Sequence, residues 1–270
     1  MKTPVLIPAR NEAASLGTLL DALPAGSVDP IVIANGCEDD TADVASGYGA
    51  SVMDLAEPGK LPAVQFALRS LGSRAIGAPV IMTDADSVPV LPRQWSMQLP
   101  THAERQARSS PVQTAIVAGP VIAHQGTSRY SNVLRSARRF VRQAQFQFDK
   151  DARGVWCGAN IAIRLGSADE LEAVLSMPHY WPGEDIALAD MLRQRGATAS
   201  QSLSPRQAVA QSARYSSPIL EYRWSVPKAI RHRVNVAAYE QRGAPGSFPY
   251  EGMLKAPSRH LPTGDLVRTR

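Results

Sequence analysis

The sequence predicts an α/β domain built on a mostly parallel sheet. Short apolar runs alternate with amphipathic helical patterns over the first half of the chain, which is typical of βαβ units. Polar loops at residues 8–12, 35–40 and 84–87 each follow one of these runs. Because ligands bind at the carboxyl ends of the strands in open α/β sheets, we expect the three loops to line one crevice.

The elements of this half can be assigned in order along the chain. Strands are predicted for the apolar runs at residues 5–7, 31–33, 51–53 and 80–82. Helices are predicted between them, at residues 16–23, 41–50 and 61–71. The first helix has leucine at i, i+3, i+4 and i+7 from Leu16, and Asp39 or Asp40 is expected to cap the second.

Composition narrows the class of protein. With 270 residues, 44% hydrophobic and 20% charged, the chain can bury a large core, and we expect one domain with decorations. Its two cysteines, Cys37 and Cys157, are far apart, which argues against a disulfide scaffold and fits a reducing compartment. The most apolar window, residues 112–123, is too short for a membrane span. We therefore expect a cytoplasmic protein.

Asp84 and Asp86 follow the fourth apolar run at the spacing i, i+2. In an extended segment such side chains leave on the same side, where two carboxylates can share one hard divalent cation with a diphosphate. The alternative interpretation is a solvated acidic turn. The sequence has no Gly-x-Gly-x-x-Gly after the first strand and no Gly-rich Lys-Ser/Thr loop, so neither an NAD enzyme nor a P-loop NTPase is supported.

Five short polar motifs occur in the chain, and both their residues and their order are informative. They are Ile7-Pro8-Ala9-Arg10-Asn11-Glu12, Asn35-Gly36-Cys37-Glu38-Asp39-Asp40-Thr41, Asp84-Ala85-Asp86, Gly158-Ala159-Asn160 and Gly183-Glu184-Asp185. In this order they resemble the motifs of the inverting family-2 glycosyltransferases, and the resemblance spans residues 3–215. It implies a GT-A (Rossmann-like) fold, with a helical C-terminal extension, and a nucleoside-diphosphate sugar as donor.

The resemblance assigns the donor half of the site. It implies that the nucleotide-sugar contacts Pro8, Arg10, Glu12, Asn35, Lys60 and Asp84. Family members usually have Asp at the position of Asn35, so this chain offers the base an amide instead of a charge. Lys60 precedes a predicted helix, and its alternative interpretation is an exposed lysine in the first turn. Asp39 and Thr41 are interpreted as structural, since they adjoin a helix start.

The resemblance also implies a cation and a base for the sugar transfer. The resemblance makes Asp86 the ligand of a divalent metal, Mn²⁺ or Mg²⁺, while Asp84 orients the ribose or a metal-bound water. Asp185 is the implied general base for the acceptor hydroxyl. Helix capping is the alternative for Glu184 and Asp185, because both lie in the first turn of a predicted helix.

The acceptor or the diphosphate is expected to contact four further residues, Asn160, Trp181, Glu184 and Arg214. Arg214 belongs to Gln211-Ser212-Ala213-Arg214-Tyr215, which resembles the Gln-x-x-Arg-Trp element of processive synthases with Tyr in place of Trp. Since those synthases carry membrane helices and this sequence predicts none, we interpret it as non-processive.

The domain organisation follows from the same reasoning. Residues 1–215 are expected to form the GT-A domain, with a nucleotide-sugar half at 1–120 and an acceptor half at 121–215. A helical extension is expected at 216–242 and a flexible basic tail at 243–270. Residues 129–150 predict a basic amphipathic helix, interpreted either as a peripheral contact with the anionic inner face of a membrane or as a solvated face.

The sequence thus predicts a hexosyltransferase-type enzyme that transfers one sugar, with inversion, to a carbohydrate or lipid-linked acceptor in polysaccharide biosynthesis. Two alternatives stay open. One is a non-catalytic nucleotide-sugar-binding or membrane-associated scaffold of the same fold, suggested by Asn35 and the basic helix; the other is a retaining GT-A transferase. A formal charge of +5 comes without a nucleic-acid-binding motif, so no nucleic-acid partner is expected.

Overall fold

The computed structural model describes residues 2–123, 158–177 and 184–211 of the protein. The strands of this part of the chain are β1 (Thr3–Ala9), β2 (Val28–Asn35), β3 (Ser51–Leu55), β4 (Pro79–Thr83), β5 (Ser87–Pro89), β6 (Ala115–Ala118), β7 (Val121–Ala123), β8 (Asn160–Arg164), β9 (Thr198–Gln201) and β10 (Val209–Gln211). Its helices are α1 (Ala13–Ala22), α2 (Thr41–Gly47), α3 (Lys60–Leu71), α4 (Pro92–Arg108), α5 (Ala168–Leu175) and α6 (Glu184–Gln194), with short 3-10 turns at Gly72–Ala75 and Pro205–Gln207.

Seven strands form the central sheet in the order β3-β2-β1-β4-β8-β6-β9. The first four run parallel, β9 is parallel to β6, and β8 runs antiparallel to both β4 and β6. The predicted α/β class with a mostly parallel sheet is confirmed. The reversal at β8 sets its amino end, at Asn160, beside the carboxyl end of β4, at Thr83.

Helices cover both faces of the central sheet. On one face Leu6 and Ile33 pack with apolar side chains of α3, α5 and α6. On the other face Val5 and Ile7 pack with those of α1 and α4, around the buried Trp95. Consecutive residues of β1 thus enter opposite clusters, as the pleat of a strand requires. The strand ends are therefore held by packing from two sides.

The observed helices match the predicted ones but differ at their ends. α1 begins ahead of Leu16 and buries its leucine stripe as expected. α2 ends at Gly47 and does not reach residue 50. The reason is Gly49, whose φ of 73° is a left-handed backbone conformation that stops a helix. None of the helices in the described ranges is long and apolar enough to cross a bilayer.

A second, three-stranded sheet has the order β5-β10-β7, and the sequence did not predict it. β10 pairs antiparallel with β5, which sets Gln211 opposite Ser87, and parallel with β7. The pairing brings Gln211 to Asp86, 125 residues away in the chain. The loop after β4 therefore meets the last described strand.

Candidate active site

Segments from across the chain converge at one edge of the central sheet. β1, β2 and β4 end at this edge, and β8 begins there because it runs in the opposite direction. The first turns of α3 and α6 bring Lys60 and Asp185 to the same edge, where both bond to Gly158. The predicted meeting of strand-end loops is thus observed, with two helix starts added to it.

The loops after β1 and β2 are joined by hydrogen bonds. Asp39 Oδ2 accepts from the backbone N–H of Ala13 at 3.1 Å, and Thr41 Oγ1 accepts from the backbone N–H of Glu12 at 2.9 Å. Asn11, at a φ of 54°, accepts a further backbone N–H from the second loop. Asp39 Oδ1 also accepts from the Thr41 N–H at the start of α2. These contacts confirm the structural interpretation of Asp39 and Thr41.

The four residues expected to line the nucleoside, Pro8, Arg10, Glu12 and Asn35, differ in exposure. Arg10 is exposed, Pro8 and Glu12 are half-buried, and Asn35 is 3% exposed. Glu12 Oε2 accepts from Ser15 Oγ at 2.5 Å, and Asn35 Nδ2 lies 3.5 Å from a carbonyl oxygen of its own strand. Asn35 is thus almost fully enclosed at the carboxyl end of β2.

Lys60 and Asp84 form an ion pair at the centre of the edge. Lys60 Nζ also donates to the carbonyl oxygen of Gly158 at 2.7 Å. Both side chains of the pair are 22% exposed, so the interpretation of Lys60 as an exposed lysine in a first turn is wrong. The lysine instead connects the loop after β4 with the residues that precede β8.

The charge of Lys60 is fixed by its surroundings. Burial by itself lowers the pKa of its ammonium group, but the negative charges of Asp84, Glu184 and Asp185 outweigh burial and raise that pKa above its usual range. The ammonium group therefore stays protonated throughout the neutral range. It supplies a permanent positive charge at the edge that offsets part of the negative charge of these three carboxylates.

Gln211 bridges the two aspartates of the Asp-x-Asp motif. Its Nε2 lies 3.2 Å from Asp84 Oδ2 and 3.1 Å from Asp86 Oδ1, and Ser87 Oγ lies 3.3 Å from the same Asp86 oxygen. Asp86 is 5% exposed, so the solvated-turn interpretation is wrong for it. Sequence reasoning used Gln211 only as the start of a motif and did not place it in the site, because nothing short of the β5–β10 pairing connects it to Asp86.

Asp185 is held by the backbone in front of β8. Its Oδ2 accepts from the N–H of Gly158 at 2.7 Å. A Cβ at position 158 would lie 3.0 Å from both Asp185 Cβ and Lys60 Nζ, so glycine permits this close approach. Glu184 lies in the same first turn of α6 and acts on Lys60 through its charge. The position of both acids is compatible with capping and with catalysis.

Asn160 does not occupy the position that its predicted role requires. Its side chain is fully buried; Oδ1 accepts from Trp95 Nε1 at 2.9 Å, and Nδ2 donates to the carbonyl oxygens of Pro120 at 3.0 Å and Gln207 at 2.7 Å. We correct the expected direct contact with acceptor or diphosphate, because the amide is enclosed in the core and its donors are used there. Asn160 is instead paired in the sheet with Thr83, the last residue of β4. This pairing holds the start of β8 beside the loop that carries Asp84.

Some of the predicted features lie outside the described residues. They include the contact residues Trp181 and Arg214, the basic segment 129–150, the helical extension 216–242 and the tail 243–270. Their roles stay predictions.

Solved structures with this architecture include three of glucosyl-3-phosphoglycerate synthase from Mycobacterium tuberculosis. The complex with Mn²⁺, UDP and glucosyl-3-phosphoglycerate has a TM-score of 0.53 at 19% sequence identity, over 91% of this chain and 81% of that chain. The complex with Mg²⁺ and UDP has a TM-score of 0.52 at 19% identity, over 91% and 81%. The complex with Mn²⁺, UDP-glucose and glycerol 3-phosphate has a TM-score of 0.52 at 19% identity, over 91% and 82%. The chain has the GT-A fold.

At this sequence identity the likeness establishes the fold, and the reaction has to be argued from the site. No family model matches the chain, and no curated protein matches it. The GT-A fold explains why the polar residues gather where they do, since the carboxyl edge of such a sheet is where loops can vary without disturbing the core.

The acidic pair of this GT-A chain fits a hard divalent cation. Asp84 Oδ2 and Asp86 Oδ1 both lie within hydrogen-bond distance of Gln211 Nε2, so the fold brings one oxygen of each carboxylate to the same amide group. Within the described ranges no group of three His, Cys, Asp or Glu side chains could hold a metal ion. A cation at the pair would therefore complete its shell with other oxygens, from water or a ligand, as Mg²⁺ commonly does. The residues present fit Mn²⁺ or Mg²⁺ bound together with a diphosphate.

Proposed function

We propose that the protein is a metal-dependent glycosyltransferase that transfers one sugar from a nucleoside-diphosphate sugar to an acceptor hydroxyl. One observation carries the proposal: hydrogen bonds run without a break from Asp86 through Gln211, Asp84, Lys60 and Gly158 to Asp185. They connect a pair of carboxylates suited to a cation with a separate carboxylate suited to a base. The fold is shared with structures that hold UDP with Mn²⁺ or Mg²⁺.

The donor end of the site would bind the leaving diphosphate. Asp86 is the residue we assign to the cation, because Asp84 is already paired with Lys60 through Oδ1. A bound Mn²⁺ or Mg²⁺ would offset the negative charge that builds on the diphosphate as the sugar leaves. Lys60 adds its fixed positive charge, while Asp84 orients either the ribose or a metal-bound water.

The acceptor end would use Asp185 as general base. An acceptor hydroxyl must lose its proton as it attacks the anomeric carbon, and a carboxylate within hydrogen-bond reach can take it. The Gly158 N–H fixes one oxygen of Asp185 at 2.7 Å, which orients the carboxylate before the acceptor arrives. Glu184, Trp181 and Arg214 are assigned to contacts with the acceptor or the diphosphate.

We further propose inversion at the anomeric carbon, as the family-2 motifs imply. The base and the cation would then act on opposite sides of the sugar. A retaining transferase shares the donor half, and the two are distinguished by the anomeric configuration of the product, which NMR of the first-formed glycoside reports. Retention would exclude Asp185 as the base of a direct displacement.

The acceptor class is also part of the proposal. We expect a carbohydrate or lipid-linked acceptor in glycan or polysaccharide biosynthesis, in the cytoplasm or at the inner face of the membrane. Two of the structures named above hold small phosphorylated compounds, glucosyl-3-phosphoglycerate and glycerol 3-phosphate. Phosphorylated three-carbon acceptors therefore belong in the first assay beside free sugars and lipid-linked sugars.

The donor nucleotide is identified by thermal unfolding with UDP, GDP, dTDP and CDP, each with Mn²⁺ and with EDTA. A ligand at about 100 times its Kd stabilises the folded state by about 2.7 kcal/mol. The stabilising nucleotide is then supplied as its sugar conjugate, and transfer or hydrolysis is measured. Nucleotide binding without any turnover would favour the scaffold alternative, and the absence of stabilisation by all four nucleotides would contradict both.

A further inference from the structure

Gln211, the last residue of the short strand β10, directs its side chain to the acidic pair Asp84 and Asp86. Its side-chain Nε2 contacts one carboxylate oxygen of Asp84 and one of Asp86, at 3.2 and 3.1 Å. The backbone of Gln211 is fixed from two sides, since β10 pairs with Ser87 on β5 and with Ala123 on β7. The amide group is thus held against the acidic pair by the fold.

These two distances are ordinary hydrogen-bond lengths, and they are also compatible with the spacing of neighbouring ligands around a small divalent cation. In an octahedral shell with metal–oxygen distances of about 2.1 Å, adjacent ligand atoms lie about 3.0 Å apart. The terminal amide atom of Gln211 has this separation from oxygens of both Asp84 and Asp86. A cation bound to Asp86 Oδ1 could therefore bind the Gln211 amide as an adjacent ligand without movement of the backbone.

The side-chain amide of Gln211 can turn either its nitrogen or its oxygen toward the acidic pair. A primary amide carries two N–H donors on one atom and an acceptor oxygen on the other, and rotation about its last torsion swaps them. When only the two carboxylates are present, they accept hydrogen bonds from the amide nitrogen, so the nitrogen faces them. A cation placed between them selects the oxygen, which is a hard ligand that Mg²⁺ and Mn²⁺ accept.

We propose that Gln211 supplies its amide oxygen as a ligand to the cation that Asp86 binds. The inference rests on the proposed function, because it concerns the cation of that site. Lys60 already offsets one of the two negative charges of Asp84 and Asp86, so a neutral ligand beside Asp86 leaves the cation with net positive charge to place against a diphosphate.

The test measures Mn²⁺ affinity for the parent protein and two variants, in the presence of UDP, GDP, dTDP or CDP at a saturating concentration. Gln211→Met keeps the length and removes the oxygen, and it should weaken Mn²⁺ binding at least about tenfold. Gln211→His offers a ligand nitrogen at similar reach and should bind Mn²⁺ within a few-fold of the parent. Pulsed electron paramagnetic resonance of the bound Mn²⁺ should then detect an imidazole nitrogen in Gln211→His that is absent from the parent spectrum.

Asp86→Asn in the same titration separates this inference from the proposed function. If the parent binds Mn²⁺, Asp86→Asn loses it and Gln211→Met does not, the proposed site stands and the role of Gln211 is refuted. A spectrum of Mn²⁺-loaded Gln211→His without an imidazole nitrogen refutes it too. If the parent binds no Mn²⁺ with any of the four nucleotides, both the metal site and the ligand role fail. Circular dichroism of each variant verifies its fold.

Discussion

Lys60 and Asp185 are connected through one glycine. Lys60 Nζ donates to the carbonyl oxygen of Gly158 at 2.7 Å, and the N–H of the same residue donates to Asp185 Oδ2, also at 2.7 Å. Because Lys60 is paired with Asp84 as well, the acidic pair is connected to Asp185 through three successive contacts. The donor and acceptor ends of the proposed site are therefore joined by hydrogen bonds through Gly158.

The first prediction concerns the cation. Asp86→Ala should weaken nucleotide binding in Mn²⁺ and make the remaining binding nearly indifferent to EDTA, since the protein would have lost its main metal ligand. Isothermal titration with the nucleotide that stabilises the parent, with and without EDTA, measures this. The assignment is wrong if Asp86→Ala binds as tightly as the parent and still loses affinity on chelation.

The second prediction concerns the ion pair of Lys60 and Asp84. Lys60→Met leaves the Asp84 carboxylate partly buried without its ion-pair partner. The free energy of unfolding should fall by between about 1 kcal/mol, the upper value for an exposed pair, and about 3 kcal/mol, the value for a buried one. Adding Asp84→Asn to Lys60→Met should restore part of the loss. Urea unfolding of the two single variants and the double variant gives the coupling; strictly additive effects would show that the pair contributes nothing.

The raised pKa of Lys60 sets the pH window of this effect. A group whose pKa is higher in the folded state stabilises the fold fully below its unfolded value, about 10.4, and the contribution is lost as the pH rises through the folded value. The difference between the parent and Lys60→Met should therefore be constant from pH 6 to about pH 9. A difference that shrinks within this range would mean that the ammonium group titrates there.

The third prediction separates an enzyme from a scaffold. Asp185→Asn keeps the size of the side chain and an oxygen for the Gly158 N–H, but it removes basicity, so turnover should fall by roughly 10²- to 10⁴-fold. Donor binding should hardly change, because the contacts of Asp86 are intact. Capping alone predicts the reverse, since Asn is also an adequate cap. Near-parental turnover by this variant would remove Asp185 from the mechanism.

The fourth prediction concerns the close packing of Gly119 against Asn160 and Gln207. A Cβ at Gly119 would collide with the side chain of Asn160 and lie 2.5 Å from the carbonyl oxygen of Gln207, so Gly119→Ala should destabilise the protein by about 1–3 kcal/mol. The matched control is Gly47→Ala, in the last turn of α2, where an added Cβ meets nothing within 4 Å. Thermal unfolding should show the control unchanged or slightly stabilised; equal effects at both positions would contradict the packing argument.

The fifth prediction concerns acid stability. His102 on α4 lies 3.3 Å from Gln207 Oε1 through Nδ1 and 3.3 Å from Gln106 Nε2 through Nε2. Burial lowers the pKa of His102 and the charge of Arg105 adds to this, while the Gln207 contact opposes it. The folded state then binds fewer protons than the unfolded chain just below the unfolded value of about 6.5, so stability should fall as the pH drops through that window.

His102→Gln removes the titrating group and should reduce this loss. The measurement is the Tm of the parent and the variant at pH 7.5 and pH 5.5, and the parent should lose more on acidification. Other histidines contribute to both proteins and cancel in the comparison. An equal loss in both would show that His102 does not contribute.

The sequence by itself determined the first half of the fold. The apolar runs and leucine spacings predict β1 to β4 and the helices between them, because these elements are formed by residues close together in the chain and carry strong periodicity. The positions of Asp84, Asp86 and Lys60 along the chain could be predicted for the same reason, because each residue follows or opens a periodic element. The role of Asn160 was predicted wrongly, since a motif does not reveal that its amide is enclosed by Trp95 and two backbone carbonyls.

Only the tertiary structure decided which distant groups touch. The pairing of β10 with β5 brings Gln211 onto Asp84 and Asp86, and the antiparallel course of β8 brings Gly158 between Lys60 and Asp185. The hydrogen bonds that form these contacts join residues between 27 and 127 positions apart in the chain. No local sequence pattern encodes such a separation. Strand register and direction depend on how the whole core packs, because each pairing is selected by burial on both faces of the sheet.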